Sequence, residues 1–244
     1  MIEMIEIDAI LKTMPPIALN EVKNIRLMER KDFKFVACIS FLPQLLEAMI
    51  PYFRVQVVKG KRIAPYSTQY LDTPYLDMYV MHRKGVSNRQ KIRIRSYVDS
   101  NVSFLEIKNK NTSGWTNKVR VPNRCPEVLS GKELAANKQF LSENSAFDMN
   151  KLEPSLISHF DRITLVNNEK TERVTIDLNI SFANCRTGKT QSLDKIMVLE
   201  LKQDGWQYSP FWDIIDQFRI MQFSFSKYCV GIALTNPDVH NKLI

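Results

Sequence analysis

The stretch Lys91-Ile92-Arg93-Ile94-Arg95-Ser96-Tyr97, KIRIRSY, alternates a basic residue with isoleucine. Successive side chains of a β-strand point to opposite faces, so the spacing predicts a strand with cations on one face and isoleucines on the other. Cations lined up a few ångströms apart repel one another unless water or an anion screens them. Such a face is either an ordinary wetted one or one made to hold something strongly negative.

The pattern recurs. Glu106, Lys108 and Lys110 oppose Leu105 and Ile107; Lys118 and Arg120 oppose Val119 and Val121; Arg173 and Asp177 oppose Val174 and Ile176. Glu200 and Lys202 oppose Met197, Leu199 and Leu201, and Arg30, Asp32 and Lys34 oppose Phe33 and Phe35. Solvated sheet faces usually mix signs, because opposite charges across strands stabilise and like charges destabilise. Here cations outnumber the acids, which are Asp32, Glu106, Asp177, Glu200 and the outlying Asp99. If the sheet curls until it closes, these faces line a cationic bore with helices outside, and exposed strand edges disappear. Arginine binds oxyanions bidentately and lysine acts as a compact point charge, so that bore suits phosphate groups.

Strands are expected at 25–37, 52–58, 66–71, 90–98, 102–110, 115–121, 162–166, 173–180 and 196–202. Helices are expected over 41–50 (capped by Ser40), 75–83, 127–158, 210–222 and 226–234. Strand runs joined by hairpin turns, with helices set outside, indicate an antiparallel α+β fold. Residues 1–24 read as a short amphipathic helix and lead-in, and 25–244 as one domain without a linker.

The 244 residues, 44% hydrophobic and 25% charged, suit a globular chain with a full core. A net charge of +8 favours an anionic partner: nucleic acid, a phosphorylated small molecule, polyphosphate or a membrane surface. Four scattered cysteines and three histidines give no zinc spacing. The first residues, MIEMIEIDAI, carry acids within their apolar run, unlike a signal peptide, and no apolar run approaches a membrane span. A reduced cytoplasmic protein is expected, with the three Asn-x-Ser sequons as chance matches. Arg186-Thr-Gly-Lys-Thr190 mimics the end of a phosphate-binding loop, but its first glycine would fall at Ala183 and no βαβ context surrounds it. His82 is read as structural, Trp206 and Trp212 as core, and Cys229 as a buried small hydrophobe.

Eight segments in order resemble the VTC polyphosphate-polymerase domain, a branch of the triphosphate tunnel metalloenzyme (CYTH-like) superfamily. They are RKDFKFV (30–36), YLDTPYLDMY (70–79), HRKGVSNRQKIRIRSY (82–97), FLEIKNK (104–110), the basic 118–120, RVTIDLNI (173–180), VLELK (198–202) and FSKYCVG (225–231). The resemblance implies an α+β fold whose core is a closed, eight-stranded antiparallel β-tunnel with a cationic interior, flanked by helices. It implies that Lys34, Arg83, Arg93, Arg95, Lys108, Lys118, Arg162 and Arg173 line the phosphate path. Ser226 and Lys227 would add contacts at the start of the last helix, a natural oxyanion site. Glu200 would hold Mn²⁺ or Mg²⁺. Where the wider superfamily opens with two glutamates, this chain has Arg30 and Asp32, which favours the VTC branch. The resemblance is to the stand-alone prokaryotic versions, so neither the phosphate-sensing domain nor the membrane helices of eukaryotic VTC proteins are expected.

The expected activity is a metal-dependent transferase that moves the γ-phosphate of ATP onto a polyphosphate chain, with Arg93, Arg95, Lys108 and Lys118 around the triphosphate. A terminal phosphate is already anionic and needs no base, and the protein's task is positioning and charge neutralisation. A hydrolase of the same fold is the alternative, with Glu106 orienting water beside Glu200; the competing reading of Glu106 is a salt bridge to Arg93 or Lys108. A non-enzymatic binder of RNA or polyphosphate, stacking bases on Tyr70, Tyr97 and Trp115, is the rival of another class. No DNA is expected as partner, and a membrane partner protein is compatible with the reading.

Overall fold

A computed structural model describes residues 4–24, 30–112, 116–123 and 134–239. Trp115 and Cys125 lie outside them, as do the expected strand at 25–29 and the expected helix over 127–133. Hydrogen bonds link the main strands in the order β2-β11-β9-β8-β4-β5-β6-β7. These are β2 (Arg30–Cys38), β4 (Ile63–Asp72), β5 (Arg89–Tyr97), β6 (Val102–Lys110), β7 (Thr116–Pro122), β8 (Glu153–Asn167), β9 (Glu172–Asn184) and β11 (Ile196–Asp204). Short strands β1 (Pro16–Ala18), β3 (Phe53–Val57) and β10 (Thr190–Leu193) pair on β3, on β8 and on β9. The path ends at β2 and β7, which share no ladder among the described residues. The α+β class with a large antiparallel sheet is therefore found, while the expected closure is not made by hydrogen bonds.

The chain divides into two compact units, and β8 and β9 run through both. The first comprises Met1–Pro65, Phe160–Ile180 and Leu193–Phe225. Its core sets Phe33, Phe35, Val174, Ile176, Leu199 and Leu201 against α1 (Met4–Thr13), α3 (Leu42–Met49) and α6 (Pro210–Gln217). Each of these apolar side chains contributes roughly 1.5–3 kcal/mol on leaving water. α6 starts as its sequence dictates: Pro210 sits in the first turn, and the Ser209 hydroxyl accepts from Phe211 N–H at 3.0 Å and donates to Glu172 at 2.7 Å. It stops five residues before the expected end. Arg219 takes a left-handed φ of 53°, Ile220 N–H bonds Ile215 C=O, and Phe223 N–H bonds Lys34 C=O at 2.8 Å, so the following residues pair with β2 instead.

The second unit comprises Tyr66–His159, Ser181–Ser192 and Ser226–Ile244. Ile92 and Ile94, 1% and 2% exposed, pack with Leu105 and Ile107 under Met78 of α4 (Asp77–Arg83) and Phe140 and Leu141 of α5 (Leu134–Asn144). The isoleucines of KIRIRSY thus face helices, as the alternation predicts. Buried Asp72 caps α4, accepting from Met78 and Tyr79 N–H at 3.0 Å, and takes the Tyr228 hydroxyl of α7 (Lys227–Thr235) at 2.5 Å. Burial pushes the Asp72 carboxyl up despite these bonds. Gly231 lets α7 lie close: a Cβ there would stand 2.4 Å from Leu156 Cδ2.

Other expectations are corrected. Ser40 does not cap α3; the cap position is Phe41 with no side-chain bond, and the Ser40 hydroxyl meets Cys38 Sγ. Residues 153–158 are strand, not helix, because Pro154 cannot continue a helix interior. Trp206 is 77% exposed, its ring tilted against Phe33, and Trp212, edge-on to the same phenylalanine, is the half-buried one. Cys229 is half-buried. No helix among the described residues is long and apolar enough to cross a membrane.

Candidate functional site

In the second unit, cross-strand register sorts the polar face of β4–β7 into rows. Lys91, Lys108 and Lys118 form one row across β5, β6 and β7. Tyr70, Arg93, Glu106 and Arg120 form the next, then Thr68, Arg95, Phe104 and Pro122. Like charges directly opposite are destabilising, so the lysine row is a place where an anion gains. Glu106 is fully buried and serves as the resident anion. Arg93 donates to it twice, at 2.9 and 2.7 Å, and Lys118 once, at 2.9 Å, while Arg120 stands at 4.0 Å. Burial alone would raise its carboxyl; Arg93, Arg95 and Lys118 outweigh that and lower it to about 2. Burial lowers the Lys118 ammonium, against the pull of Glu106.

Arg95 bonds Thr68 at 3.3 Å. Lys91 donates to the Ser226 hydroxyl at 3.0 Å, which in turn accepts from Cys229 N–H as the α7 N-cap. Lys227 follows in the first turn. Arg83 lies on α4 rather than on a strand face, its guanidinium 5.8 Å from the Tyr79 ring. Burial pushes the Cys229 thiol up while Lys91, Arg89 and Arg83 draw it down, which puts those cations around the start of α7. His82 Nδ1 accepts from Arg89 at 3.1 Å.

In the first unit, Glu200 stands in register between Lys34 and Thr175, with Lys202 beside Arg173 and Asp32 one row along. Glu200 is ion-paired to Lys202 and lies 3.8 Å from Lys34, which also donates to Phe225 C=O at 3.1 Å. Burial opposes its ionisation, but Lys202, Lys34 and Arg162 hold the carboxyl well below the ordinary range. Lys202 also reaches Asp32 at 3.7 Å. Arg162 grips Asp177 bidentately at 2.6 and 2.8 Å. The Thr175 hydroxyl, 3% exposed, has no hydrogen-bond partner among the described residues. No signal in a single sequence marks Thr175, since threonine is common in strands.

The structure thus gathers Arg93, Arg95, Lys108 and Lys118 on one face with Ser226 and Lys91 at its edge, and Lys34, Arg162, Arg173 and Glu200 on another. Arg83 comes from α4 rather than from a strand and stands with Lys91 and Arg89 around the start of α7. Among the described residues no three acids, histidines or cysteines cluster to cage a metal. Glu200 as a lone hard-oxygen ligand fits Mg²⁺ or Mn²⁺ only as an ion that takes its remaining ligands from water and substrate phosphates. The Arg186–Thr190 stretch is the turn between β9 and β10: Asn184 N–H bonds Lys189 C=O at 2.9 Å, and Arg186 is spent on Thr73, Pro74 and Glu153.

A family model described as VTC domain matches residues 29–236. No curated protein matches the chain. A Bacillus halodurans protein described as a candidate adenylate cyclase superposes with a TM-score of 0.50 at 12% identity, over 82% of this chain and 96% of its own. A Hippeastrum protein, described as a candidate adenylyl cyclase with dominant triphosphatase activity, gives 0.46 at 13%, over 86% and 98%. A Pyrococcus horikoshii protein gives 0.45 at 13%, over 84% and 98%.

Proposed function

The chain belongs to the VTC domain family, and from that premise we propose that it is a metal-dependent phosphotransferase that moves the γ-phosphate of ATP onto the end of a polyphosphate chain. The observation that carries the reading is the state of the acids on the two cationic faces. Glu106, Asp177, Glu200 and Asp32 are each ion-paired to lysine or arginine. With a carboxyl at about 2, Glu106 is too weak a base to take a proton from water near neutrality. Hydrolysis calls for a group that orients water; a chain-terminal phosphate attacks without one.

Arg93, Arg95, Lys108 and Lys118 bind and orient the triphosphate, the arginine forks matching its equatorial oxygens. Lys34, Arg83, Arg162, Arg173, Ser226 and Lys227 hold further phosphates. Glu200 holds Mn²⁺ or Mg²⁺, which when bound supplies charge neutralisation on phosphate oxygens. With the ion bound there, Lys202 would be released from Glu200 to contact phosphate while keeping Asp32 nearby.

The test is incubation with ATP and Mn²⁺, then separation of ADP, free phosphate and long-chain polymer. Polymer with ADP is the expected result. Free phosphate without polymer makes the protein a hydrolase, and no turnover with retained polyphosphate binding makes it a binder.

A further inference from the structure

One end of the cationic face on β4–β7 is aromatic. Tyr66 and Tyr97 are cross-strand partners with ring centroids 5.0 Å apart, and Tyr97 meets Phe104 edge-on at 6.1 Å. Two guanidiniums flank them: Arg95 lies 5.9 Å from the Tyr66 centroid and Arg120 lies 4.4 Å over Phe104. These rings sit on the face opposite Ile92, Ile94 and Leu105, so packing under α4 and α5 does not account for them. Tyr66 is buried, while Tyr97 and Phe104 keep part of their surface open.

Resting on the phosphotransferase reading, we propose that Tyr97 and Phe104, with the guanidinium planes of Arg95 and Arg120, seat the nucleobase of the nucleoside triphosphate donor. Same-face residues along a strand repeat about every 6.7 Å, which puts Tyr97 roughly 13 Å from Arg93 and roughly 20 Å from the lysine row. A base on the rings therefore leaves the ribose short of the Arg95 row and runs the triphosphate past Arg95 and Arg93 toward Lys108 and Lys118. Stacking on rings and guanidinium planes accepts any base, because every base has a π-face. Donor choice is then loose: ATP and GTP bind alike. Tripolyphosphate, which has no base, uses the cations alone.

The experiment is calorimetric titration of the whole chain with ATP and with tripolyphosphate, for wild type, Tyr97→Leu and Phe104→Leu, each variant checked by thermal melting. The leucine variants are expected to weaken ATP by roughly 5- to 150-fold, the range that stacking one base supports. Tripolyphosphate affinity stays within about twofold, on the same stacking argument. Equal losses for both ligands, or no loss for ATP, overturn the seat. Titration of wild type with base-free ribose 5-triphosphate repeats the test without a substitution: an affinity equal to that of ATP overturns the seat as well. Failure of wild type to bind both ATP and tripolyphosphate defeats the phosphotransferase reading itself, a result separable from the others.

Discussion

Replacing Glu106 by glutamine removes the one acid that the face of β5–β7 carries and keeps its shape. Its carboxyl lies at about 2 in the folded chain against an ordinary 4.5, a depression worth about 3 kcal/mol of stability near neutrality. Because the folded value is depressed, that stability is complete above about pH 4.5 and is lost as pH falls toward 2. Glu106→Gln should therefore cost about 3 kcal/mol at pH 7, seen as a melting temperature lower by roughly 6–12 °C. The deficit should shrink to about half by pH 3, where wild-type Glu106 itself begins to take up a proton. Arg93 and Lys118, left without their anion, should then gain more from an added one. Tripolyphosphate should raise the melting temperature of the variant more than that of wild type. Thermal melts across pH 3–8, with and without tripolyphosphate, make the measurement. A variant as stable as wild type at pH 7, or a deficit independent of pH, would refute the reasoning that Glu106 is the clamp's internal counter-anion.

Arg93→Ala and Glu200→Ala should each abolish metal-dependent ATP turnover while circular dichroism stays that of the folded chain; unchanged turnover in both would sink the phosphate-clamp assignment. Gly231→Ala should destabilise by about 1–3 kcal/mol, since its Cβ would press within 2.4 Å of Leu156 and 2.7 Å of Phe182. A melting temperature lowered by roughly 2–12 °C would bear that out.

The alternation of KIRIRSY was enough to place Ile92 and Ile94 under helices and Arg93 and Arg95 opposite them, because a period of two is a local property. The bounds of β6 and the course of the opposing faces were legible for the same reason. What the sequence could not give was register. A salt bridge from Glu106 to Arg93 or Lys108 is open to the sequence; the structure makes the one to Arg93 and adds Lys118, while nothing local announces that Lys202 closes on Glu200. The helix expected over 127–158 fails beyond Asn144, where α5 ends, and from Glu153 onward Pro154 is the residue that rules a helix interior out. The burial of Asp72 beneath Tyr228 depends on a residue 156 positions away, which no local pattern carries.

The charge balance of the two faces explains why a divalent ion would sit at Glu200 and not at Glu106. On β5–β7, Glu106 answers for Lys91, Arg93, Arg95, Lys108, Lys118 and Arg120, so the face keeps a large positive excess. A second cation brought there meets Arg93 and Lys118 within hydrogen-bond range of both carboxylate oxygens. A polyanion meets the opposite situation, exchanging the repulsion of the lysine row for attraction. In the first unit Asp32, Asp177 and Glu200 nearly match Lys34, Arg162, Arg173 and Lys202, so phosphate gains little from the face as it stands. Two further positive charges on Glu200 would free Lys202 and Lys34 for phosphate and restore the excess. The acids are thus internal counter-anions that let buried cations fold without ligand, since an unpaired buried charge costs several kcal/mol. On the proposed function, their uneven distribution would leave one face ready for phosphate on folding and the other dependent on the metal.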